Sequence, residues 1–374
     1  MASEQLPSTM KAFVLEQFGQ PYQLREVPLP EIEHQDDILI RVEAGSYCHT
    51  DAVVAAGTMH PPSLPHIGCH EYAGTVVALP QGKSSIYGLI VGTQVAVSGR
   101  GYHVCEKCQE CRNPSGPVPD EPGFSVYCPW THGGLGVHGP GGFREYAVVD
   151  SKQVLPIPGS MTAVEVAPLM CAGLTIFAAL KKCNLKPGQR VGFIGCGGGL
   201  GHLGLQFATK MGLKAVGVDS SPGALQFARD LGTGAYIVNA AETKAEDVRQ
   251  QLGQEDKAEH ISEMGLDAVL ILTDSQQSFT YGVDLLRNGG LAIVVSFPPE
   301  GFQVSAADLV FRRIRLEGTL IGSNKAMKEM LEFCVEHGVK ARVKTYSFLR
   351  LNQLVEAYHS GVSGKLVVDF QKND

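Results

Sequence analysis

Four cysteines lie close together in the chain. Cys105, Cys108 and Cys111 follow C-x2-C-x2-C spacing, and Cys128 comes from the loop that follows. Four thiolates can close a tetrahedron around one zinc ion, whereas disulfides between such close neighbours would be strained. The cluster therefore predicts a closed, structural zinc site.

A second set of possible metal ligands is dispersed along the chain. It consists of Cys48, His70 with Glu71, and Cys171. A set of two cysteines and one histidine, with a fourth position open, is typical of a catalytic zinc site. Spacing alone is weak evidence here, because Cys171 lies in the apolar run APLMCAGLT and would by itself be read as a core residue.

A glycine-rich turn follows the apolar strand predicted at 190–194. Such turns let the backbone approach a pyrophosphate, whose charge the amides at the start of a helix stabilise. Asp219 ends the next predicted strand, where a carboxylate would bond the ribose 2′-hydroxyl of NAD and repel the 2′-phosphate of NADP. The predicted dinucleotide contacts in the turn are Gly195, Gly197, Gly198, Gly199, Leu200 and Gly201.

The amino-acid composition limits the classes to which the protein can belong. The 374 residues are enough for two domains, and 44% hydrophobic with 18% charged residues indicates a compact globular chain. A formal net charge of -7 argues against nucleic acid as a partner. The N-terminus lacks an apolar signal region, and no apolar run reaches the roughly 20 residues of a membrane helix, so we expect a cytoplasmic protein without a membrane partner. In the cytoplasm, ten cysteines indicate metal ligands and buried thiols rather than disulfides.

The elements that must position these residues differ between the two halves. Residues 11–160 contain short β-type runs broken by Gly and Pro, which predicts a β-barrel-like module. From about 160 onward, strands and helices alternate, which predicts a doubly wound parallel sheet. One continuous helix is expected over 164–180, capped by Ser160 or Thr162. The last strand, 365–370, is expected to return to the first module.

These motifs together resemble the zinc-dependent alcohol dehydrogenases of the medium-chain dehydrogenase/reductase superfamily. The resemblance rests on CHTD at 48–51, CHEYAG at 69–74, the four-cysteine lobe, MCAGLT at 170–175 and the glycine-rich turn with Asp219. It implies an α/β fold with a GroES-like β-rich catalytic domain (1–160 and 311–374) and a Rossmann NAD-binding domain (161–310). It also implies two zinc ions per chain and a homodimer or homotetramer.

The resemblance implies a role for each matched residue. Cys48, His70 and Cys171 would bind the catalytic zinc, and Glu71 would approach it when substrate is absent. Asp51 would orient His70, and Thr50 would share a proton with the substrate oxygen. The implied cofactor contacts are His49 and Lys365 at the pyrophosphate, and Thr175, Ser296 and Phe297 near the nicotinamide.

The chain departs from the family pattern in the zinc regions. Cys69 stands where the family has glycine, and we treat it as a neighbour of the site rather than a ligand. Cys128 follows Cys111 after a longer gap than usual, so the intervening insert is expected to loop outward. Val53 replaces a histidine that ends a proton relay in many relatives.

The predicted substrate pocket also departs from that of ethanol-active relatives, which is narrowed by tryptophans. Ala55 and Met59 are the matching residues, and Arg100-Gly101 replaces a bulky residue before the lobe. The only tryptophan, Trp130, lies beyond the lobe. The expected activity is therefore hydride transfer between NAD(H) and a bulky alcohol or aldehyde.

Three alternatives were weighed against this activity. An NADPH-dependent aldehyde or ketone reductase could use the same zinc site, but Asp219 and the absence of Arg or Lys in Ser220-Ser221-Pro222 favour NAD. A zinc-ribbon binding protein would need two distant C-x2-C knuckles and a basic surface. A hydrolase of the nucleophile-elbow type is excluded because no G-x-S-x-G occurs.

Overall fold

The computed structural model describes residues 6–373 except 62, 117 and 122. The first part of the chain forms strands β1 (Thr9–Val14), β2 (Gln23–Pro28), β3 (Asp37–Tyr47), β4 (Glu71–Ala78), β5 (Gln94–Ser98), β6 (Tyr146–Asp150) and β7 (Val154–Pro156), and helices α1 (His49–Ala55) and α2 (Gln109–Arg112).

The alternating part follows. Its elements are α3 (Ala163–Val166), α4 (Ala172–Cys183), β8 (Arg190–Ile194), α5 (Gly201–Lys210), β9 (Lys214–Asp219), α6 (Pro222–Asp230), β10 (Tyr236–Asn239), α7 (Ala245–Asp256), β11 (Leu266–Ile271), α8 (Gln276–Asp284), β12 (Leu286–Val294), α9 (Ala306–Phe311) and β13 (Arg315–Gly318). The chain ends with α10 (Asn324–His337), β14 (Val343–Ser347), α11 (Leu351–His359) and β15 (Lys365–Asp369). Short 3-10 helices lie at Ser151–Gln153, Ala167–Met170, Ile261–Glu263 and Phe348–Arg350.

The first sheet is the β-rich module that the sequence predicts. Its strand order is β14-β15-β3-β4-β5-β7, with β6 also paired to β3. The β3 strand is buried along almost its whole length because the sheet curls around an aromatic core that includes Tyr47, Tyr72 and Phe143. The predicted return of the last strand is confirmed, since β15 pairs antiparallel with β3 and places Val367 opposite Ser46.

The second sheet has the strand order β10-β9-β8-β11-β12-β13, and every pair in it is parallel. The order reverses between β8 and β11, and ligands of doubly wound sheets bind at such a point, beyond the carboxyl ends of the strands. Separate apolar clusters cover the two faces, one containing Phe177 and Phe207 and the other Val248 and Phe279. The doubly wound fold is thus confirmed.

The sheet continues past the expected domain limit at residue 310. β13 pairs with β12, and the buried face of α10 packs against α4 through Met327, Met330 and Leu331. We therefore propose that the chain crosses back to the β-rich module after α10, because only β14 and β15 of the C-terminal elements pair within the first sheet.

One helix expected from the sequence is broken in the structure. The run 164–180 is divided into α3, a 3-10 turn at Ala167–Met170 and α4, and the segment Ala163–Met170 is bent by 51° relative to Ala172–Cys183. Thr162 and Glu165 form a capping box that starts α3, so the predicted cap is correct for Thr162. Pro168 explains the break, since it has no N–H to donate and its ring crowds the preceding turn.

Among the described residues, no single helix is long and apolar enough to cross a membrane. The bent pair formed by 163–170 and 172–183 passes that test by length and composition, and its second helix is nearly all buried within the protein.

Candidate metal centre and cofactor cleft

The dispersed ligand set converges at one end of β3 and β4. Cys48 follows β3 directly and His70 precedes β4, and the antiparallel pairing of Ser46 with Glu71 brings those two strand ends together. Cys171 lies at the break before α4. One ligand atom from each of the three residues lies within 4.8 Å of the others, and the two Sγ atoms are 4.0 Å apart.

Asp51 connects the parts of this cluster. Its Oδ1 accepts hydrogen bonds from His70 Nδ1 at 2.9 Å and from the Cys69 amide at 3.1 Å. Its Oδ2 accepts a hydrogen bond from the Cys48 amide at 2.9 Å. Because Asp51 is 1% exposed, these bonds are shielded from water and fix the ring of His70 with Nε2 directed away from the carboxylate.

The donor set fits a zinc ion. His70 Nε2 is buried and has no hydrogen-bond partner, which is costly for a nitrogen unless a metal or proton acceptor occupies the space before it. Hydrogen bonding from the Cys171 thiol holds the pKa of Cys48 well below its usual range, and the same pairing raises the pKa of Cys171. Two adjacent sulfurs and one imidazole nitrogen are the ligands that zinc prefers in catalytic sites.

Glu71 is held away from the cluster by Lys365. The carboxylate is fully buried; its Oε1 accepts a hydrogen bond from Lys365 Nζ and its Oε2 accepts one from the Ala172 amide at 3.4 Å. Burial raises the pKa of Glu71 to about 7, against the opposing effect of the ammonium. The resemblance implies a fourth zinc ligand at this position, but the ligand group of the structure contains only Cys48, His70 and Cys171.

Lys365 lies between the metal cluster and the glycine-rich turn. The resemblance implies a pyrophosphate contact for its ammonium, whereas Nζ donates to Glu71 and, at 3.1 Å, to the carbonyl of Tyr47. Its stem runs beside Gly199, where an added Cβ would lie 2.9 Å from Lys365 Cδ. The turn and Glu71, the carboxylate beside the metal cluster, therefore contact the same side chain.

The glycine-rich turn joins β8 to α5 at the switch point. Gly195 has a φ of +94°, which favours glycine, and a Cβ on Gly201 would lie 2.3 Å from the Gly195 carbonyl oxygen. Asp219 ends β9 beside the turn, where its carboxylate accepts hydrogen bonds from the amides of Gly197 at 3.2 Å and Ser220 at 2.9 Å. The predicted turn and acid thus lie together.

His202, which the sequence interpretation missed, holds the turn from behind. Its Nδ1 lies 3.0 Å from the Gly198 carbonyl and its Nε2 accepts from the Arg342 amide at 3.1 Å. Burial lowers the pKa of His202 to about 4, so the ring is neutral at pH 7. The Arg342 carbonyl accepts from the Lys365 amide at 2.9 Å. The sequence signal that could have identified His202 is its position directly after Gly201, at the start of an apolar helix.

The remaining expected cofactor residues lie around the carboxyl ends of β11 and β12 and the start of α4. His49, on α1, is paired with Asp274 at 3.0 Å and with the Tyr358 hydroxyl at 3.1 Å, two partners that the sequence analysis did not identify. The other expected cofactor residues are the buried Thr175, Ser296 with its Oγ bonded to the Thr273 carbonyl at 2.8 Å, and the exposed Phe297. Thr50, expected to share a proton with the substrate oxygen, follows His49 on α1 and is half-buried.

The four lobe cysteines also converge, with one Sγ from each within 4.8 Å of the others. Backbone amides donate to three of the sulfurs, at 3.3 Å from Cys108 to Cys105, 3.4 Å from Cys111 to Cys108 and 3.4 Å from Cys105 to Cys128. All ten cysteines are free thiols. Four sulfurs in this arrangement fit a closed zinc site.

The insert before Cys128 was expected to loop outward, but part of it packs against the rest of the protein. Val118 and Asp120 are buried, and Asp120 Oδ1 accepts a hydrogen bond from the Lys325 amide at 3.1 Å. Arg100, expected to mark the substrate pocket, is buried beside them and donates to the Gly322 carbonyl at 2.9 Å. The insert docks on the start of α10 because Val118 adds apolar surface to that core.

Cys69 is a neighbour of the metal cluster rather than a member of it. Its φ of +78° explains why glycine is favoured at this position, and its Sγ faces the carbonyls of Ser46 at 3.6 Å and Glu71 at 3.4 Å. Burial raises the pKa of Cys69 well above its usual value, so this thiol stays protonated.

Comparisons with known proteins agree with the geometry. The family description "Alcohol dehydrogenase GroES-like domain" matches residues 34–159, and "Zinc-binding dehydrogenase" matches residues 199–336. An alcohol dehydrogenase of Geobacillus stearothermophilus is 31% identical over 97% of this chain and 100% of its own length. One from Moraxella sp. (strain TAE123) is 32% identical over 96% of this chain and 99% of its own length.

Solved structures share the fold. Acetophenone reductase from Geotrichum candidum NBRC 4597, in complex with NAD, superposes with a TM-score of 0.79 at 25% identity and covers 98% of both chains. The alcohol dehydrogenase from Aeropyrum pernix gives a TM-score of 0.81 at 24% identity, over 96% of this chain and 99% of its own.

We expect Asp51→Asn to lose zinc from the Cys48 site. The Asn side chain would place its NH2 group against at least one of the N–H groups that donate to Asp51. His70 would then lose its fixed orientation. Removing such a partner lowers metal affinity about 10–100-fold. Zinc content after dialysis against a chelator measures this, with exposed Asp230→Asn on α6 as the control. Full zinc retention in Asp51→Asn would contradict the assigned role.

Lys365→Met should destabilise the protein because it leaves the Glu71 carboxylate buried without its cation. Breaking a buried pair from one side costs about 3–5 kcal/mol. Urea unfolding of the variant measures the loss, and the double variant Lys365→Met/Glu71→Gln should recover most of it. Exposed Lys372→Met is the matched control, and an equal loss in the single and double variants would disprove the pairing.

Proposed function

The chain belongs to the alcohol dehydrogenases of the medium-chain dehydrogenase/reductase superfamily, and on that premise we propose that it is an NAD-dependent, zinc-dependent enzyme for bulky alcohols and aldehydes. Membership of this family makes it an oxidoreductase acting on alcohols. The observation that supports the finer proposal is the convergence of Cys48, His70 and Cys171 near a glycine-rich turn. Lys365 lies between them, beside Gly199 of the turn and bonded to Glu71 next to His70.

Two cofactors would divide the chemistry. When bound, zinc polarises the substrate oxygen and the nicotinamide accepts or donates the hydride. Cys48, His70 and Cys171 would hold the metal, and Asp51 would keep His70 Nε2 aimed at it. The lobe cysteines would hold a second zinc that takes no part in the reaction.

We propose that Thr50 handles the substrate proton. It lies on α1 close to Cys48 and is half-buried, and its hydroxyl would contact both a substrate oxygen and water. Val53 offers no group to continue a relay, and we propose that the proton passes from Thr50 through the cofactor ribose to water. His49 and Thr175 would then position the cofactor on either side.

Asp219 supports NAD over NADP. Its carboxylate lies at the end of β9, and the amides of Ser220 and Ser221 already bond its Oδ1. A 2′-phosphate at this place would meet a negative charge with no Arg or Lys in the following segment to offset it. The complex of the similar acetophenone reductase contains NAD.

We expect a wide substrate pocket, which would suit a bulky substrate. Ala55 and Met59 at the end of α1 are half-buried, and Trp130 is 70% exposed, so the positions expected to narrow the pocket carry no large ring. The name of the similar acetophenone reductase indicates an aromatic carbonyl compound as its substrate. Reduction of an aldehyde or ketone with NADPH at the same site is the alternative activity.

We also propose that the enzyme is a homodimer or homotetramer. The second sheet ends at β13, and the adjoining surface exposes Val310 at 66%, Phe311 at 80% and Leu320 at 54%. Large apolar side chains grouped beside a sheet edge are typical of a protein–protein contact.

The activity is tested by following NADH absorbance with a panel that runs from ethanol to benzylic alcohols and the corresponding aldehydes. Because the expected pocket is wide, kcat/KM should be at least about tenfold higher for the aromatic alcohols than for ethanol. Chelation that removes the zinc should abolish turnover, and added Zn²⁺ should restore it. Ethanol used as efficiently as any larger alcohol would overturn the substrate assignment.

Asp219→Ser should shift the cofactor preference toward NADP. Removing the carboxylate takes away the repulsion of the 2′-phosphate and one bond to the ribose, so kcat/KM should fall for NAD and rise for NADP. The ratio of the two constants should change by about 10-fold or more, as expected for loss of one charged contact. Exposed Asp230→Ser is the control, and an unchanged ratio in Asp219→Ser would contradict this role.

A further inference from the structure

A third group of metal-type side chains lies at the base of the four-cysteine lobe, outside both thiolate sites. It consists of His34, Asp37 and His103, and one ligand atom of each lies within 4.8 Å of the others. We propose that this group binds a third metal ion, a divalent first-row transition metal, which would pin the base of the lobe to the start of β3.

The geometry of the three side chains suits one ion. His103 Nε2 lies 2.7 Å from Asp37 Oδ1, and the rings of His34 and His103 are 4.3 Å apart between centroids, tilted by 31°. His34 Nδ1 accepts a long hydrogen bond of 3.3 Å from the Asp36 amide, and this exposed ring would give up that contact when one of its nitrogens binds the metal. Two imidazoles and a carboxylate, with further positions open to water, select transition metals over calcium or magnesium.

A second histidine orients the first. The Nδ1 atoms of His103 and His132 are 3.1 Å apart, so one of them carries a proton that the other accepts. With His103 Nε2 bound to metal, its Nδ1–H would donate to His132, which is the usual arrangement for a metal-bound imidazole. The Asp150 carboxylate accepts from the His103 amide at 2.9 Å and holds that residue at a φ of +51°.

The surrounding charge favours a cation. Asp36, Asp37 and Asp150 are buried at this place, and Lys152 is the cation paired with Asp36, at 3.0 Å, and also with Glu106. The side chains of Asp37 and His103 are 8% and 13% exposed, which limits competition from water. His34 is exposed, so an ion can enter from solvent.

Nickel distinguishes this group from the thiolate clusters because its coordination preferences suit imidazole and carboxylate, while tetrahedral thiolate sites retain zinc. Calorimetric titration of the zinc-loaded, full-length protein with Ni²⁺ should show one saturable site per chain. Atomic emission on the same samples should show unchanged zinc.

His34→Ala and Asp37→Asn should each weaken Ni²⁺ binding at least about tenfold, and His132→Ala, which removes only the orienting partner, about 10–100-fold. His34 is exposed, so its loss leaves the fold intact, which circular dichroism checks. His260→Ala removes an exposed imidazole elsewhere and should leave binding unchanged. The absence of saturable binding in the parent protein, or equal binding in the parent, His34→Ala and Asp37→Asn, would overturn the proposal. Neither result depends on the dehydrogenase activity.

Discussion

The structure of the metal centre depends on the buried carboxylate of Asp51. Three donors from two separate segments of the chain converge on it, namely the Cys48 amide, the Cys69 amide and the His70 ring. A carboxylate removed from water is stable only while such donors are in place, so forming these bonds and closing the site are one event. The same bonds start α1 and join it to the strand end before β4, which explains how a short helix can carry Cys48 and Thr50 in a defined direction.

Lys365 and Arg342 make the two halves of the molecule interdependent. The chain of contacts runs from the glycine-rich turn through His202 to the Arg342 backbone, then through Lys365 to Glu71 beside the metal ligands. Every member of this chain is neutral or paired, as burial requires. The glycine-rich turn and the cluster of Cys48, His70 and Cys171 are therefore linked through β15, because Lys365 is its first residue and bonds Glu71 beside that cluster.

The four-cysteine lobe is anchored at both ends. Its insert docks through Val118 and Asp120 on the start of α10, and its base contacts the start of β3 through His103 and Asp37. Thiolate clusters alone close a loop but do not orient it relative to the rest of the protein. These two anchors supply the orientation, which accounts for the buried Asp120 and the partly buried His103 in a segment that reads as an irregular loop.

The sequence alone determined what depends on residue type and short spacing: the four-cysteine site, the glycine-rich turn with Asp219, the parallel βα order and the β-rich module. Cys48, His70 and Cys171 were also predicted as metal ligands, but through their co-occurrence with the glycine-rich turn and the resemblance to a family rather than from spacing. Only the tertiary structure decided what depends on contacts between distant segments. It broke the expected helix at Cys171, directed Lys365 to Glu71, turned the insert inward and assembled His34, Asp37 and His103. The spacing of residues along the sequence does not give their distance in space. Which residues hundreds of positions apart come into contact depends on strand pairing and on the need to satisfy each buried charge.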